Sequence, residues 1–489
     1  MNLDRRFDVD GVSVSALHFI NGQRVDSPES FEDRSPLQWE WKLADVARGG
    51  THEAQLALSA ASESFASWAQ LSVSERSEYL HRLADLIDEN VEQIAHVECL
   101  DMAMLEESLR LRVIPRGARN FRAYADLAVN YVARQWSSNG TANSVLRMPA
   151  GPTVVITPWN APFMLSTWKC APALAAGNTV VLKPAEWSPL SCSLLMDLVD
   201  QAEFPAGVFN MVQGFGHEVG AALVNDPRVR RISFTGSPET GRLIGRAAAT
   251  NLVPFTAEMG GKGPFIVCAD ADLEAAAQKA AVMYDDAGQV CLAGTRLLVD
   301  NAVRTEFISL FAVAANAHVL GDSREATTTI SPLIHPDHLA RVSGFVERAR
   351  AAGDTVHFGG DVSTAGSLWF EPTLITPLTN DAEVVQREIF GPVLTVQGFD
   401  TDDEAVRLAN STPYGLSAIV YTSSKSRAQK FGEALRAGTI WVNTFLVRDL
   451  TAPFGGAGIS GIGREGGDYA LDFYSDLKTL QIREGSLHG

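Results

Sequence analysis

A cysteine set among small residues, in Asp285-Asp286-Ala287-Gly288-Gln289-Val290-Cys291, is the side chain here best suited to covalent chemistry. Small neighbours let backbone and ligand come close to a thiol, as attack on a carbonyl carbon requires. A lone cysteine is more commonly a buried small hydrophobe, so its surroundings decide its meaning. Glu258, ahead of Met259-Gly260-Gly261-Lys262, is a candidate base beside a flexible turn, and Glu388-Ile389-Phe390-Gly391-Pro392 offers a further carboxylate with an aromatic neighbour. At Thr157-Pro158-Trp159-Asn160 a rigid segment delivers an asparagine amide, a neutral donor able to stabilise an oxyanion. Taken singly, each has a plain reading: a capping asparagine, an exposed carboxylate, a structural turn.

Two further segments suit a phosphorylated ligand. Phe234-Thr235-Gly236-Ser237-Pro238-Glu239-Thr240-Gly241 follows a strand and opens a helix, so backbone amides face whatever sits at that N-terminus. It departs from the common G-x-G-x-x-G dinucleotide fingerprint. Lys183-Pro184-Ala185-Glu186 ends another predicted strand, the edge at which α/β sheets place ligands. A lysine and a carboxylate there suit ribose hydroxyls, or simply each other.

These residues need a scaffold, and residues 150 to 300 describe one. Short β-branched runs at 153–156, 179–182, 208–212, 231–234 and 264–268 alternate with helical patterns at 188–202, 217–225 and 238–249, the mark of a doubly wound, mainly parallel sheet. Upstream, 51–69 and 73–101 carry apolar residues at three- and four-residue spacing and read as helices packed on that sheet. A second α/β unit follows from about residue 260, with strands at 296–299 and 393–397 and helices at 303–317, 336–352 and 402–409. The Ser-, Asn- and Gly-rich residues 130–149 interrupt the pattern as an excursion.

The 489 residues, 46% hydrophobic, are enough for two or three domains with large cores. A formal charge of −18 argues against non-specific nucleic-acid binding, and an anionic substrate would need dedicated arginines. Five scattered cysteines without metal-ligand spacing suit free thiols in a reducing compartment, with neither disulfides nor a structural metal. The N-terminus lacks a signal-peptide apolar stretch and no run reaches membrane-spanning length, so the expectation is a cytoplasmic protein with no membrane partner.

In order and over nearly the whole chain, seven segments resemble the aldehyde dehydrogenase superfamily: Pro158-Trp159-Asn160, Lys183-Pro184-Ala185-Glu186, Phe234-Thr235-Gly236-Ser237, Glu258-Met259-Gly260-Gly261-Lys262, Gly288-Gln289-Val290-Cys291, Glu388-Ile389-Phe390-Gly391-Pro392 and Pro453-Phe454-Gly455-Gly456. The resemblance implies a thiohemiacetal on Cys291, an oxyanion held by Asn160 and the Cys291 amide, hydride transfer, and thioester hydrolysis by water activated by Glu258. Lys169 matches a family lysine behind the oxyanion site, and Glu465 a second carboxylate that relays protons. For the cofactor, the resemblance assigns Lys183 and Glu186 to the adenosine ribose, Gly236 and Ser237 to the pyrophosphate region, Thr157 and Trp159 to the cofactor-facing strand end, and Glu388 and Phe390 to the nicotinamide end. A carboxylate at Glu186 favours a free 2′-hydroxyl, hence NAD over NADP.

It also implies an NAD-binding domain (1–129 and 150–257), a catalytic α/β domain (258–455) and a small β extension for subunit pairing (130–149 and 470–489), in a homodimer or homotetramer. The sequences Ile114-Pro115-Arg116-Gly117-Ala118-Arg119-Asn120-Phe121 and Asn443-Thr444-Phe445-Leu446-Val447-Arg448-Asp449-Leu450 resemble the branch that oxidises hydroxymuconic and related semialdehydes from aromatic-ring degradation. There, arginines matching Arg116 and Arg448 hold a substrate carboxylate, with Leu165, Trp168 and Phe445 as further substrate-facing positions; structural salt bridges are the plain alternative. An aromatic aldehyde is the runner-up substrate, on the strength of Trp159, Phe163, Trp168, Phe390 and Phe445. CoA-dependent acyl transfer and a non-catalytic binding protein are the remaining alternatives. Two departures stand out: Asp286 replaces the common family asparagine and, with Asp285, is expected to raise the thiol pKa above about 8.5, and Gly458 replaces a common lysine and is expected to loosen its loop.

Overall fold

The computed structural model describes residues 5–485. Its first large sheet is built on Thr153–Ile156, Val180–Lys183, Phe209–Met211, Arg231–Gly236 and Phe255–Met259, all mutually parallel. Runs such as Val154, Val155, Val180, Val181 and Leu182 are wholly buried because helices cover both faces of the sheet. Each such side chain contributes roughly 1.5–3 kcal/mol through burial. From Phe255–Met259 across to Phe209–Met211, the chain order of these strands is 5-4-1-2-3. The direction of winding therefore reverses between Thr153–Ile156 and Arg231–Gly236, and a ligand crevice opens beyond the carboxyl ends of those two strands.

Antiparallel strands complete this sheet at both edges. His18–Ile20 and Gln23–Val25 close one side, and Gly461–Ile462, from near the end of the chain, pairs with Phe255–Met259 on the other. The second large sheet runs Thr355–Phe358, Thr373–Thr376, Val393–Phe399, Arg296–Asp300, Pro264–Val267, Ser417–Tyr421, Thr439–Val442, and only its first pair is antiparallel. The third β unit explains the excursion at 130–149. Asn139 and Gly140 both take positive φ (54° and 68°), the two-residue turn that matches strand twist. That turn joins Gln135–Ser138 to Thr141–Pro149, and Ser475–Arg483 pairs along the whole of the second strand. Residues 1–4 and 486–489, the tips of the N-terminal and C-terminal segments discussed above, lie outside the described residues.

Among the helices, the expected single element at 73–101 is two, Val73–Glu89 and Val91–Met102. Asn90 leaves helical geometry (φ −113°, ψ 16°) and its side chain donates to the Leu86 carbonyl at 2.8 Å, ending the first helix from within. The pattern at 217–225 is a π-turn, Gly216–Gly220, running into the short helix Ala221–Val224. Among the described residues, no helix is long and apolar enough to cross a membrane.

Candidate active site

The crevice at the winding reversal collects the residues proposed for the cofactor. Thr157, Trp159 and Asn160 leave the end of Thr153–Ile156, while Gly236 and Ser237 leave the neighbouring strand. Ser237 Oγ accepts from the Thr240 N–H at 3.2 Å and caps the helix Pro238–Thr250, fixing the direction in which its free amides point. Thr157 Oγ1 lies 3.0 Å from Ser166 Oγ, tying the strand end to the helix Pro162–Ala175. One strand away, Lys183 Nζ stands 2.7 Å from Glu186 Oε2. Burial would raise the Glu186 carboxyl, but the Lys183 ammonium outweighs it and keeps Glu186 below the usual range.

Cys291 ends a loop with unusual backbone. Asp286, Ala287 and Gly288 all have positive φ (51°, 53° and 68°), the region glycine and, to a lesser degree, Asp and Asn tolerate. Gln289 then fixes the loop. Its amide donates to the Asp286 carbonyl at 3.2 Å and its Oε1 accepts from the Ile334 N–H at 3.0 Å. Asn160 Nδ2 donates to the Gln289 carbonyl at 2.9 Å, which brings the expected oxyanion donor against the Cys291 loop and leaves its second N–H for another acceptor. All five cysteines are free, and four are buried; Cys291 is partly exposed. Its thiol is pushed up to about 12 by burial and then by Glu388 and Glu258, with Arg448 opposing. A base must therefore accompany its attack on an electrophile.

Glu258, near the end of Phe255–Met259, is 5% exposed, and neither carboxylate oxygen has a hydrogen-bond partner among the described residues. Burial and then the charge of Glu465 hold it well above its ordinary value, against Lys169, Arg464 and Arg448. A buried carboxylate held above its ordinary value is a stronger base than a free one. Behind it, Lys169 Nζ is ion-paired to Glu465 and lies 3.1 Å from Ser233 Oγ, while Trp168 Nε1 donates to Glu465 at 2.7 Å. The two residues are thus one buried pair with a hydroxyl between strand and helix.

The turn Gly260-Gly261 joins Glu258, Cys291 and Glu388. A Cβ at Gly261 would sit 2.5 Å from the Cys291 carbonyl, and one at Gly260 would overlap the Glu388 carboxylate. Only glycine allows these approaches. Glu388 Oε1 accepts from the Gly261 N–H at 2.8 Å, and burial raises this carboxyl to about 7. Phe390 meets Trp159 edge to face at 5.3 Å, so the two aromatic positions expected at the cofactor do converge.

On the opposite side, Arg116 and Arg448 converge on Trp168, their guanidinium carbons 5.5 Å and 5.7 Å from its ring. Among the described residues, neither has a carboxylate at ion-pair distance, so the structural salt bridges considered as the alternative are not formed. Burial and then Arg448 lower Arg116 to about 10, and burial likewise lowers Arg448. Leu165, one turn before Trp168, is partly exposed. Phe445, on the loop that carries Arg448, packs edge to face on Trp441 at 5.4 Å. Phe163, by contrast, is fully buried against Gly117 and belongs to the core.

The aldehyde dehydrogenase family profile matches residues 24–480. The chain belongs to that family. It is 41% identical over 481 residues to the 2-hydroxymuconic semialdehyde dehydrogenase of Pseudomonas sp. (strain CF600), covering 95% of this chain and 99% of that protein. With the Escherichia coli 5-carboxymethyl-2-hydroxymuconate semialdehyde dehydrogenase it shares 38% identity over 462 residues, 93% of this chain and 98% of the relative. A P. syringae indole-3-acetaldehyde dehydrogenase, solved in complex with NAD+ and IAA, superimposes with a TM-score of 0.94 at 35% identity, covering 97% and 98% of the two chains.

Two expectations for this aldehyde dehydrogenase family member need correction. The carboxylates acting on the Cys291 thiol are Glu388 and Glu258, whereas Asp286 is raised to about 6 by its own burial and answers to Arg112. Gly458 does not loosen its loop: it has φ 60°, and a Cβ there would overlap the Pro413 carbonyl, so the glycine permits a tight turn. Two residues were missed. Ser233 touches the Lys169–Glu465 pair from mid-strand, where nothing in the sequence marks it. Tyr124 packs against Trp168 at a tilt, with ring centroids 5.7 Å apart, and its place in Arg116, Asn120, Tyr124, a four-residue repeat on the helix Ile114–Val129, is a signal that was available. Among the described residues, no group of three or more His, Cys, Asp or Glu is arranged to hold a metal.

Proposed function

We propose that this protein oxidises an aldehyde that also bears a carboxylate, with NAD as hydride acceptor, through a thioester on Cys291. The observation that carries the substrate reading is the pair of guanidinium groups, Arg116 and Arg448, gathered over Trp168 with no carboxylate at ion-pair distance among the described residues. Planar guanidinium groups suit a carboxylate, and the charge of Arg448 already acts on the Cys291 thiol, so an acid held there has its far end near the sulfur. By name, the two curated relatives act on 2-hydroxymuconic and 5-carboxymethyl-2-hydroxymuconate semialdehydes.

The Cys291 sulfur bonds to the aldehyde carbon as its proton leaves to a base, and the carbonyl oxygen becomes an oxyanion facing Asn160 Nδ2 and the Cys291 N–H. NAD, when bound, supplies the acceptor for the hydride lost as the tetrahedral carbon becomes a thioester. Glu258 then takes a proton from water as the water oxygen bonds to the acyl carbon. The carbon–sulfur bond breaks, the acid is released, and the Lys169–Glu465 pair offers Glu258 a route to pass its proton on. The donor set fits NAD: Lys183 holds Glu186 ionised, which suits ribose hydroxyls and repels a 2′-phosphate.

The test is steady-state kinetics with carboxylated semialdehydes, benzaldehydes and aliphatic aldehydes, each with NAD and NADP. The expected result is the highest kcat/KM with an acid semialdehyde and NAD, without added CoA, and loss of the NADH burst in Cys291→Ala. Preference for benzaldehyde would overturn the substrate class, and a burst surviving in Cys291→Ala would overturn the nucleophile.

A further inference from the structure

The helix Pro336–Ala352 directs one face at the segment Glu388-Ile389-Phe390-Gly391. His338 Nε2 donates to the Phe390 carbonyl at 2.7 Å. Arg341 donates from Nη2 to the Glu388 carbonyl at 2.7 Å, and from Nη1 to the Ile389 carbonyl. Val342 fits so closely under Gly391 that a Cβ there would lie 2.6 Å from Val342 Cγ2. Positions 338, 341 and 342 share a helix face by their three- and four-residue spacing. Three consecutive carbonyls are therefore held by two side chains of one rigid helix.

The segment needs such restraint. Phe390 has φ 62°, a left-handed conformation that a bulky residue adopts at a cost of about 1–2 kcal/mol and keeps only when its surroundings fix it. His338, 5% exposed, also stands edge to face on Trp159 at 5.3 Å, the ring that meets Phe390. Burial holds its imidazole down to about 4, so it is neutral and its single N–H lies on the nitrogen facing the Phe390 carbonyl. On the other side, the segment is braced by the nucleophile loop, where Gly288 leaves no room for a side chain against Gly391.

We propose that His338 and Arg341 are positioning residues that lock the Glu388-to-Phe390 segment in its cofactor-receiving shape, His338 placing the Phe390 ring and Arg341 the Glu388 backbone. This rests on the assignment of Glu388 and Phe390 to the nicotinamide end of NAD. Neither positioning residue touches the reacting atoms, so their loss weakens NAD binding and leaves the thiol's own reactivity intact. A merely structural role would lower thermal stability and change both properties together.

The experiment measures the NAD dissociation constant by quenching of tryptophan fluorescence in the parent, His338→Leu, His338→Gln and Arg341→Met. In parallel, hydrolysis of p-nitrophenyl acetate without NAD reads Cys291 alone. His338→Leu is expected to weaken NAD about tenfold, the scale of one lost buried hydrogen bond, with ester hydrolysis within about twofold. His338→Gln, which retains an N–H on a planar side chain, is expected to recover affinity to within about threefold of the parent. Arg341→Met is expected to weaken NAD about threefold, because its guanidinium faces solvent. Parent-like NAD affinity in His338→Leu, or NAD affinity and ester hydrolysis falling together, overturns the proposal. If His338→Leu does not fold, unchanged NAD affinity in Arg341→Met overturns it just as directly. A parent that binds no NAD overturns the cofactor reading itself, a result the variants cannot mimic.

Discussion

Two sets of buried arginines answer the same physical problem in opposite ways. Arg296, 1% exposed, points Nε at the Lys262 carbonyl (2.9 Å), Nη1 at Leu408 (2.9 Å) and Nη2 at Ala409 (2.6 Å). Its donors are spent inside the fold, where they stitch Arg296–Asp300 to the helix Asp402–Ala409. Arg116 and Arg448 rest instead on aromatic faces, and among the described residues their side chains share one hydrogen bond, from Arg116 Nε to Asn120 Oδ1 at 3.3 Å. Donors left open beside Cys291 are available to a ligand; donors closed on carbonyls are structural.

The largest effect should follow from breaking the structural arginine. Arg296→Met strands the buried Lys262 and Ala409 carbonyls, whereas the Leu408 carbonyl keeps the Ser411 N–H and hydroxyl; at roughly 1–3 kcal/mol for each unsatisfied group it should destabilise the protein by about 3 kcal/mol or more. The measurement is the midpoint of chemical denaturation. A midpoint within error of the parent would dissolve the distinction, because the carbonyls would then have other partners.

Next comes Arg448→Ala, expected to lower kcat/KM for a carboxylated semialdehyde about 100-fold, the scale of a lost charge-assisted pair. A neutral aldehyde should change less than about threefold, and the denaturation midpoint should barely move. Arg116→Ala should cost the acid substrate about tenfold, less than Arg448 because Arg116 already shares a donor with Asn120. Equal losses on acid and neutral aldehydes would make both arginines structural after all.

This contrast also marks what a sequence can reveal. The strand ends that carry Asn160, Lys183 and Ser237 were legible because β-branched runs stop abruptly at Pro or Gly, and Cys291 because its neighbours are small. The helix Ile114–Val129 was not recognised, since Pro115 and Gly117 interrupt its pattern even though Pro at the first turn is permitted. The strands between residues 6 and 47 were missed for another reason: Lys42–Ala47 mixes charged and apolar residues in a two-stranded sheet with Ser30–Arg34 that no local period announces. Arg296 lay unremarked at the start of a predicted strand. His338 and Arg341 escaped because they recognise backbone carbonyls, and an acceptor common to every residue leaves no mark in composition or spacing.

Asp286 carries the comparison over to a negative charge, and the smallest effect on turnover. It lies five residues from Cys291, yet the carboxylates that raise the thiol are Glu388 and Glu258, and the cation nearest in effect to Asp286 is Arg112. Asp286→Asn keeps a residue that tolerates left-handed backbone, so the loop should retain its shape and the pH–rate profile should stay within about twofold of the parent. Stability should respond with a definite sign. Burial raises this carboxyl from 3.8 to about 6, so between those pH values the folded protein holds more protons than the unfolded chain and stability falls as pH rises. The variant has no such penalty, and above pH 6 it should gain up to about 3 kcal/mol, with the gain vanishing below pH 4 where the parent is protonated in both states. A shifted pH–rate profile without that stability gain would mean that the Asp286 charge acts on Cys291 after all, and would move it from the structural side of the comparison to the catalytic one.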